Sequence, residues 1–373
     1  MTPLKIMVSA GETSGDNHGA KLIKNLKQEK DLLVYSVGGE KMSSVSDSNV
    51  EEIADRAAVG FLEVLKTVPF FVSLKKRLRK KYFLSDSSER VDALVLIDFP
   101  GFNINLGKAA AACGVPVFYY ITPQVWAWGR KRIPLLSGMC RKLYCVFKFE
   151  KKLFRDFGGD AEFVGHPILE DIPDSYDIPG LEKELGVGVT DKVMALMPGS
   201  RVQEVKRHLP VMLKVARRTD MIPVVARVKT VPQKIYTKIG GSDLKMTSDA
   251  RALLKRSFVA VVKSGTSTLE AAVQGVPFVT VYKVSGISFA IARYLVDVPY
   301  ICMANILAGK EVSPELIQNN LTPLRLRQAV LDVAAGRDKI KQILDEVVLE
   351  LGEEGASART ALSIIKTLKG ESE

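Results

Sequence analysis

Short runs of β-branched and aliphatic residues alternate with longer helical patterns, and the alternation occurs twice, which restricts the chain to an α/β fold built on parallel sheets. The first series predicts strands at Leu4 to Val8, Leu32 to Val37, Ala93 to Asp98, Pro116 to Ile121, Lys142 to Phe147 and Ala161 to Val164. The second predicts strands at Val193 to Met197, Ile222 to Arg227, Val259 to Val262 and Pro277 to Val281. Between them, Asp171 to Gly180 is rich in acid, proline and glycine and reads as an inter-domain linker. The expected division is a first domain over 1–170, a second over 171–340 and a helical tail over 341–373 that stays on the second domain or crosses back to the first. A length of 373 residues suits two such domains.

Charge is distributed unevenly. Residues 61–157 hold 18 basic and 7 acidic side chains, so this stretch alone carries the whole net charge of +11. Such concentration predicts a cationic surface that meets a phospholipid headgroup layer, a nucleic acid or a phosphorylated substrate. Within it, Phe61 to Leu74 is strongly apolar, with Phe61, Leu62, Val68, Phe71 and Val72 available to enter acyl chains. Lys75, Lys76, Arg77 and Arg79 follow directly, the pattern of an interfacial helix on an anionic membrane, although core burial accounts for part of the same face. No RNA or DNA motif accompanies the charge, so no nucleic-acid partner is expected. The N-terminus lacks a signal-peptide pattern and no run of 18 apolar residues occurs, so a cytoplasmic protein is expected. Cys113, Cys140, Cys145 and Cys302 form no C-x-x-C pair, and neither a disulfide framework, a metal nor a cofactor is expected.

In open parallel sheets ligands bind beyond the carboxyl ends of the strands, so the residues just after each strand carry the functional reading. After the first strand come Glu12, Ser14, Asp16 and His18 among small residues and glycines. The G-x-G-x-x-G spacing is absent, and carboxylates here suit sugar hydroxyls better than a pyrophosphate; helix capping is the competing account of Asp16. After the third strand, Asp98 ends a buried aliphatic run, where desolvation raises a carboxyl pKa and favours a general base, or where loop amides hold it for architecture alone. His18 is the rival base. Trp126 and Trp128 follow the next strand and precede Arg130, Lys131 and Arg132, so they form either an apolar wall of a site or ordinary core. His166, after the sixth strand, reads as a hinge or cleft residue.

The second half offers a different chemistry. Gly199-Ser200-Arg201 turns into a helix and combines free amides with a fixed cation, as a diphosphate requires. Ser264-Gly265-Thr266-Ser267-Thr268 also opens a helix, and Glu270 one turn in suits a ribose hydroxyl pair; a capping box from Ser267 to Glu270 is the alternative.

The set SAGETSGD, GFLEVLKTVP, DFPGFN, TPQVWAW, VGHP, PGSR, SGTSTLE and NILAGKEVSPELIQ, in this order from Ser9 to Gln318, closely resembles the lipid-A-disaccharide synthase family. The resemblance implies a GT-B-type inverting glycosyltransferase of two Rossmann-like domains facing a cleft. Its reaction would join UDP-2,3-diacylglucosamine to 2,3-diacylglucosamine 1-phosphate, giving a tetraacyl disaccharide 1-phosphate and UDP. It places the acceptor lipid, Ser14, Asn103 and Trp126 on the first domain, with Asp98 as base, and UDP on the second beside Arg201 and Glu270. Asn305 and Gln318 of the late motif would face the cleft. Ala304 stands where the family usually has proline, and Met197 where it usually has leucine. The enzyme would lie on the inner face of the cytoplasmic membrane, as a monomer or homodimer. A UDP-N-acetylglucosamine 2-epimerase shares such a fold but needs no lipid surface, and a non-catalytic UDP-binding scaffold would have no turnover to lose.

Overall fold

In the computed structural model, which describes residues 3–53, 61–286, 289 and 298–371 (61–66 by backbone course alone), two parallel sheets form, each within its own unit. One unit comprises residues 1–170 and 351–373, the other 171–350. The first sheet contains β1 (Leu4–Ala10), β2 (Leu32–Gly38), β3 (Ser48–Glu52), β4 (Ala93–Ile97), β5 (Val117–Tyr120), β6 (Lys142–Cys145) and β7 (Ala161–Phe163), in the order β3-β2-β1-β4-β5-β6-β7. Its order reverses between β1 and β4, so the crevice that a parallel sheet offers to ligands opens at their carboxyl ends.

Helices cover both faces. On one face lie α1 (Thr13–Leu26) and the short α2 (Glu40–Ser43); on the other, α3 (Phe61–Leu78), α4 (Pro100–Ala111), α5 (Ile133–Met139) and α6 (Lys148–Arg155). Strand alternation sends Met7, Leu94, Leu96 and Tyr119 under the second group, and Ile6, Val8, Val95 and Phe118 under the first. All five residues of β4 are buried, as a central strand covered on two sides requires.

The second unit adds α7 (Ile178–Leu185), β8 (Val193–Met197), α8 (Val202–Ala216), β9 (Ile222–Ala226), α9 (Gln233–Gly240), β10 (Met246–Thr247) and α10 (Ala250–Arg256). It continues with β11 (Val259–Lys263), α11 (Thr266–Val273), β12 (Phe278–Tyr282), α12 (Met303–Ala308), β13 (Glu315–Ile317), α13 (Pro323–Ala335) and α14 (Arg337–Glu350). The sheet order β10-β9-β8-β11-β12-β13 reverses between β8 and β11. Ala304 is the second residue of α12, a position where the helix needs no backbone N–H bond and proline is equally at home, so the alanine leaves the turn unchanged.

The tail returns to the first unit as α15 (Ala356–Lys369), which places Ile364 and Ile365 in the same apolar cluster as Leu22 and Ile23 of α1. This return explains the glycine of Val164-Gly165-His166-Pro167. Gly165 has φ +86, and a Cβ there would lie 2.7 Å from the Glu353 carbonyl oxygen. Arg359 donates to the Val164 carbonyl at 2.8 and 3.0 Å, the His166 N–H donates to Leu351 O at 2.8 Å, and Glu170 accepts from the Ser357 N–H at 2.6 Å. His166 therefore sits where the tail docks. Among the described residues no helix is long and apolar enough to cross a membrane.

Candidate functional site

At the end of β4 the backbone leaves ordinary space. Asp98 and Phe99 adopt φ +43 and +48, and Ile121, just past β5, adopts +57, a conformation that non-glycine residues hold only at a cost on the order of 1–2 kcal/mol each. A buried frame holds the turn. The Tyr119 hydroxyl donates to Asp98 O at 2.7 Å, and the Asn103 side-chain amide donates to Ser9 O, Ile97 O and Asp98 O at 3.0–3.2 Å. Gly11 gives the Phe99 ring its space, since a Cβ there would lie 2.1 Å from ring carbons. The half-buried Asp98 carboxyl is pushed up to about 6 by burial and then by the charge of Glu12, against the Phe99 N–H, which pulls it down. Glu12 and Ser14 are exposed at the start of α1, and His18 is half-buried one turn further on.

Several expectations at this edge are corrected. Asp16 is buried, and its carboxylate accepts from the N–H groups of Gly39, Lys41 and Met42 at 2.9–3.0 Å. It caps α2, a different helix from its own, and its oxygens are spent on architecture rather than catalysis. Asn103 is fully buried and takes the Ser9 hydroxyl at 2.8 Å on its remaining oxygen, so it positions Asp98 and does not reach a substrate. Trp126 is only 6% exposed and donates its indole N–H to Glu150 at 2.9 Å, which makes it core. Glu150 carried no sequence signal. It is wholly buried and held at about 7, because burial outweighs the bonds from Trp126, Phe147 and Val146.

The apolar and basic segment divides in the same way. Phe71 is half-buried against Phe99 and Phe102, with ring centroids 5.7 and 5.0 Å away, so it is core rather than membrane-facing. Val68 and Val72 are exposed one turn apart; Lys76, Arg77 and Arg79 are also exposed, while Lys75 is half-buried and Arg77 pairs with Glu51. The side chains of Phe61 and Leu62 lie outside the described residues.

The carboxyl edge of the second sheet is built on glycine. Gly199 has φ +117 and Gly265 has φ +144, and the latter opens α11 without a side-chain cap. The amides of Ser200 and Arg201 are not open to a ligand here. Both donate to Glu204, at 2.9 and 3.3 Å, and the other Glu204 oxygen lies 3.0 Å from the Lys263 ammonium. Burial pushes this carboxyl up, but Lys263, the Ser200 amide and the Arg201 charge together hold it below its usual range. His208, fully buried, bridges the Pro198 carbonyl at 3.0 Å and the Lys283 N–H at 2.9 Å, so it ties this turn to the end of β12.

Arg201, Gly265 and Thr266 are exposed, and Ser264 and Ser267 are half-buried. Thr268 is buried and its hydroxyl donates back to Gly265 O at 2.7 Å, so it is spent within the first turn of α11 rather than on a ligand. Glu270 lies 3.7 Å from Arg251, and burial still raises its pKa. Asn305 is also corrected. It is fully buried, accepts from the Val312 and Ser313 N–H groups and donates to Ser313 O and Glu315, so it holds its loop and faces no ligand. Gln318 keeps its place as a candidate. It stands at φ +54 at the end of β13 with a buried side-chain nitrogen that has no hydrogen-bond partner among the described residues.

Two sheets that both reverse at their first strand, one with an acidic edge and the other with a cation-bearing edge, define a two-unit α/β protein of the GT-B type. The solved structure of S. aureus MnaA with UDP matches over 98% of this chain and 97% of its own, with TM-score 0.66 and 17% identity. The kitacinnamycin glycosyltransferase matches over 98% and 99%, with TM-score 0.63 and 14% identity. At such identities the likeness speaks for the fold alone. The family profile described as lipid-A-disaccharide synthetase matches residues 6–365. Lipid-A-disaccharide synthases of Myxococcus xanthus and Syntrophus aciditrophicus are 33% and 35% identical, each over 98% of both chains. The chain belongs to the lipid-A-disaccharide synthetase family.

Proposed function

We propose that the protein performs its family's glycosyl transfer with Asp98 as general base, joining UDP-2,3-diacylglucosamine to 2,3-diacylglucosamine 1-phosphate. The acceptor 6-hydroxyl gives its proton to Asp98 as its oxygen bonds to the anomeric carbon from the face opposite UDP. The bond from that carbon to the UDP oxygen breaks with inversion, and the electron pair leaves with UDP. The observation that carries this reading is the Asp98 carboxyl itself, held by a strained turn at a switch-point strand end and raised to about 6, which leaves it ionised yet basic near neutral pH. Glu12 and Ser14, both exposed, would receive acceptor hydroxyls. Arg201 and the start of α11 would neutralise the departing diphosphate, Glu270 would accept from the ribose, and Gln318 would donate its unpartnered amide to the donor.

Delivery of a diacylated sugar favours work at a lipid surface. Exposed Val68 and Val72, beside Lys76, Arg79 and Lys80 on the same stretch, suit shallow contact with the anionic inner face of the cytoplasmic membrane. The test is UDP release from purified protein given both diacylglucosamine substrates in detergent. Release that requires the acceptor supports the reading. Conversion of the UDP-sugar without acceptor would favour an epimerase, and no turnover at any chain length would overturn it.

A further inference from the structure

We infer that Glu150 is a positioning residue for the acceptor: its buried carboxylate fixes the course of the loop from Thr122 to Gly129, and through it the edge beside Asp98. This rests on the acceptor reading of the first sheet.

One oxygen of Glu150 accepts the Trp126 indole N–H at 2.9 Å. The other accepts the N–H groups of Val146 and Phe147, both at 3.2 Å. A single carboxylate thus joins the loop after β5 to the start of α6. The loop begins at Ile121, which stands at φ +57 and takes the Asp98 N–H on its carbonyl at 3.3 Å. From there it passes through exposed Gln124, buried Trp126 and Trp128, which is 39% exposed. Were the Trp126 bond released, nothing polar would hold the indole, and the exposed residues on either side would lose their fixed course. Plain helix capping accounts for the Val146 and Phe147 bonds but not for the third, which reaches 24 residues back along the chain.

Around the carboxylate lie the Thr122 hydroxyl and the Cys145 thiol, with Lys151 and Arg155 of α6 acting on that same thiol. Among the described residues no ion pair reaches Glu150. Burial holds it at about 7, so its proton comes and goes within an accessible range. Uptake of a proton turns one acceptor oxygen into a donor facing N–H groups, and the loop loosens on the acid side.

The experiment has two arms. The chain contains two tryptophans, so W128F leaves Trp126 as the sole indole. Its fluorescence should titrate with a midpoint near 7 in W128F and lose that transition in W128F/E150Q. In steady-state kinetics, E150Q and W126F should each raise the acceptor KM about tenfold with donor KM unchanged, and the double variant should be no worse than either single. If E150Q fails to fold, W126F decides the kinetic arm. Flat Trp126 fluorescence between about pH 5.5 and 8.5, or an unchanged acceptor KM in a folded variant, would overturn the inference. Failure of the acceptor reading itself shows differently, as wild-type turnover indifferent to acceptor.

Discussion

The carboxyl edges of the two sheets occupy the same topological place and are built in opposite ways. At the first, left-handed backbone falls on Asp98, Phe99 and Ile121, and two acids, half-buried Asp98 and buried Glu150, are pushed up to about 6 and about 7. At the second, the sharp turns after β8 and β11 fall on Gly199 and Gly265, and the acid in the turn, Glu204, is pulled down by Lys263, the Ser200 amide and the Arg201 charge. Glu270 and Gln318 are exceptions: Glu270 is raised by burial although Arg251 lies 3.7 Å away, and Gln318 past β13 holds φ +54. Strain and desolvation suit an edge that takes up a proton; relaxed turns and satisfied charges suit one that holds a diphosphate without reacting with it.

The comparison breaks most visibly at Asp98. Asp98→Asn should lower turnover by about two to four orders of magnitude while UDP affinity measured by calorimetry stays unchanged. The mirror experiment is Arg201→Ala, which should weaken UDP binding about ten- to a hundredfold and leave acceptor binding intact.

Stability sharpens the contrast. Glu204→Gln leaves Lys263 without its partner and should cost about 1–2 kcal/mol in urea unfolding at neutral pH. Because the folded pKa of Glu204 is depressed, its contribution is present above the unfolded value, near 4, and is lost as pH falls through the folded one. Wild type and variant should therefore converge in strong acid. Asp98 has the opposite sign. With a folded pKa raised to about 6, its ionisation burdens the fold above that pH, and the burden lifts as pH falls from about 6 towards 4. Asp98→Asn should thus stabilise the inactive protein by about 1 kcal/mol at neutral pH, a figure discounted for partial exposure, and asparagine also tolerates the left-handed turn. The smallest effect is expected at the surface. Val68→Ser with Val72→Ser should reduce flotation on anionic vesicles about severalfold, and high salt should reduce it in both proteins.

The long buried strands were legible because continuous aliphatic runs such as Ala93–Ile97 have few other uses, and the residues just past them marked both edges. Short edge strands were not. Ser48–Glu52 has one apolar residue, Met246–Thr247 is two residues long, and Glu315–Ile317 hides in a loop motif. Asp16, Asn103 and Asn305 were misread for a common reason. A polar residue after a strand looks the same whether it holds a ligand or a neighbouring backbone, and only burial and three or more local bonds per side chain tell the two apart. Glu150 sat in an ordinary charged helix pattern, and its partner Trp126 was too distant in sequence to reveal the pairing.

The most direct test of a proton-accepting first edge is the pH dependence of turnover with both substrates saturating, measured beside UDP affinity over the same range. With Asp98 as the base, the rate rises with unit slope up to about pH 6 and then levels, over flat UDP affinity. A rate already level well below that pH, or an acid limb carried by UDP affinity, would contradict it.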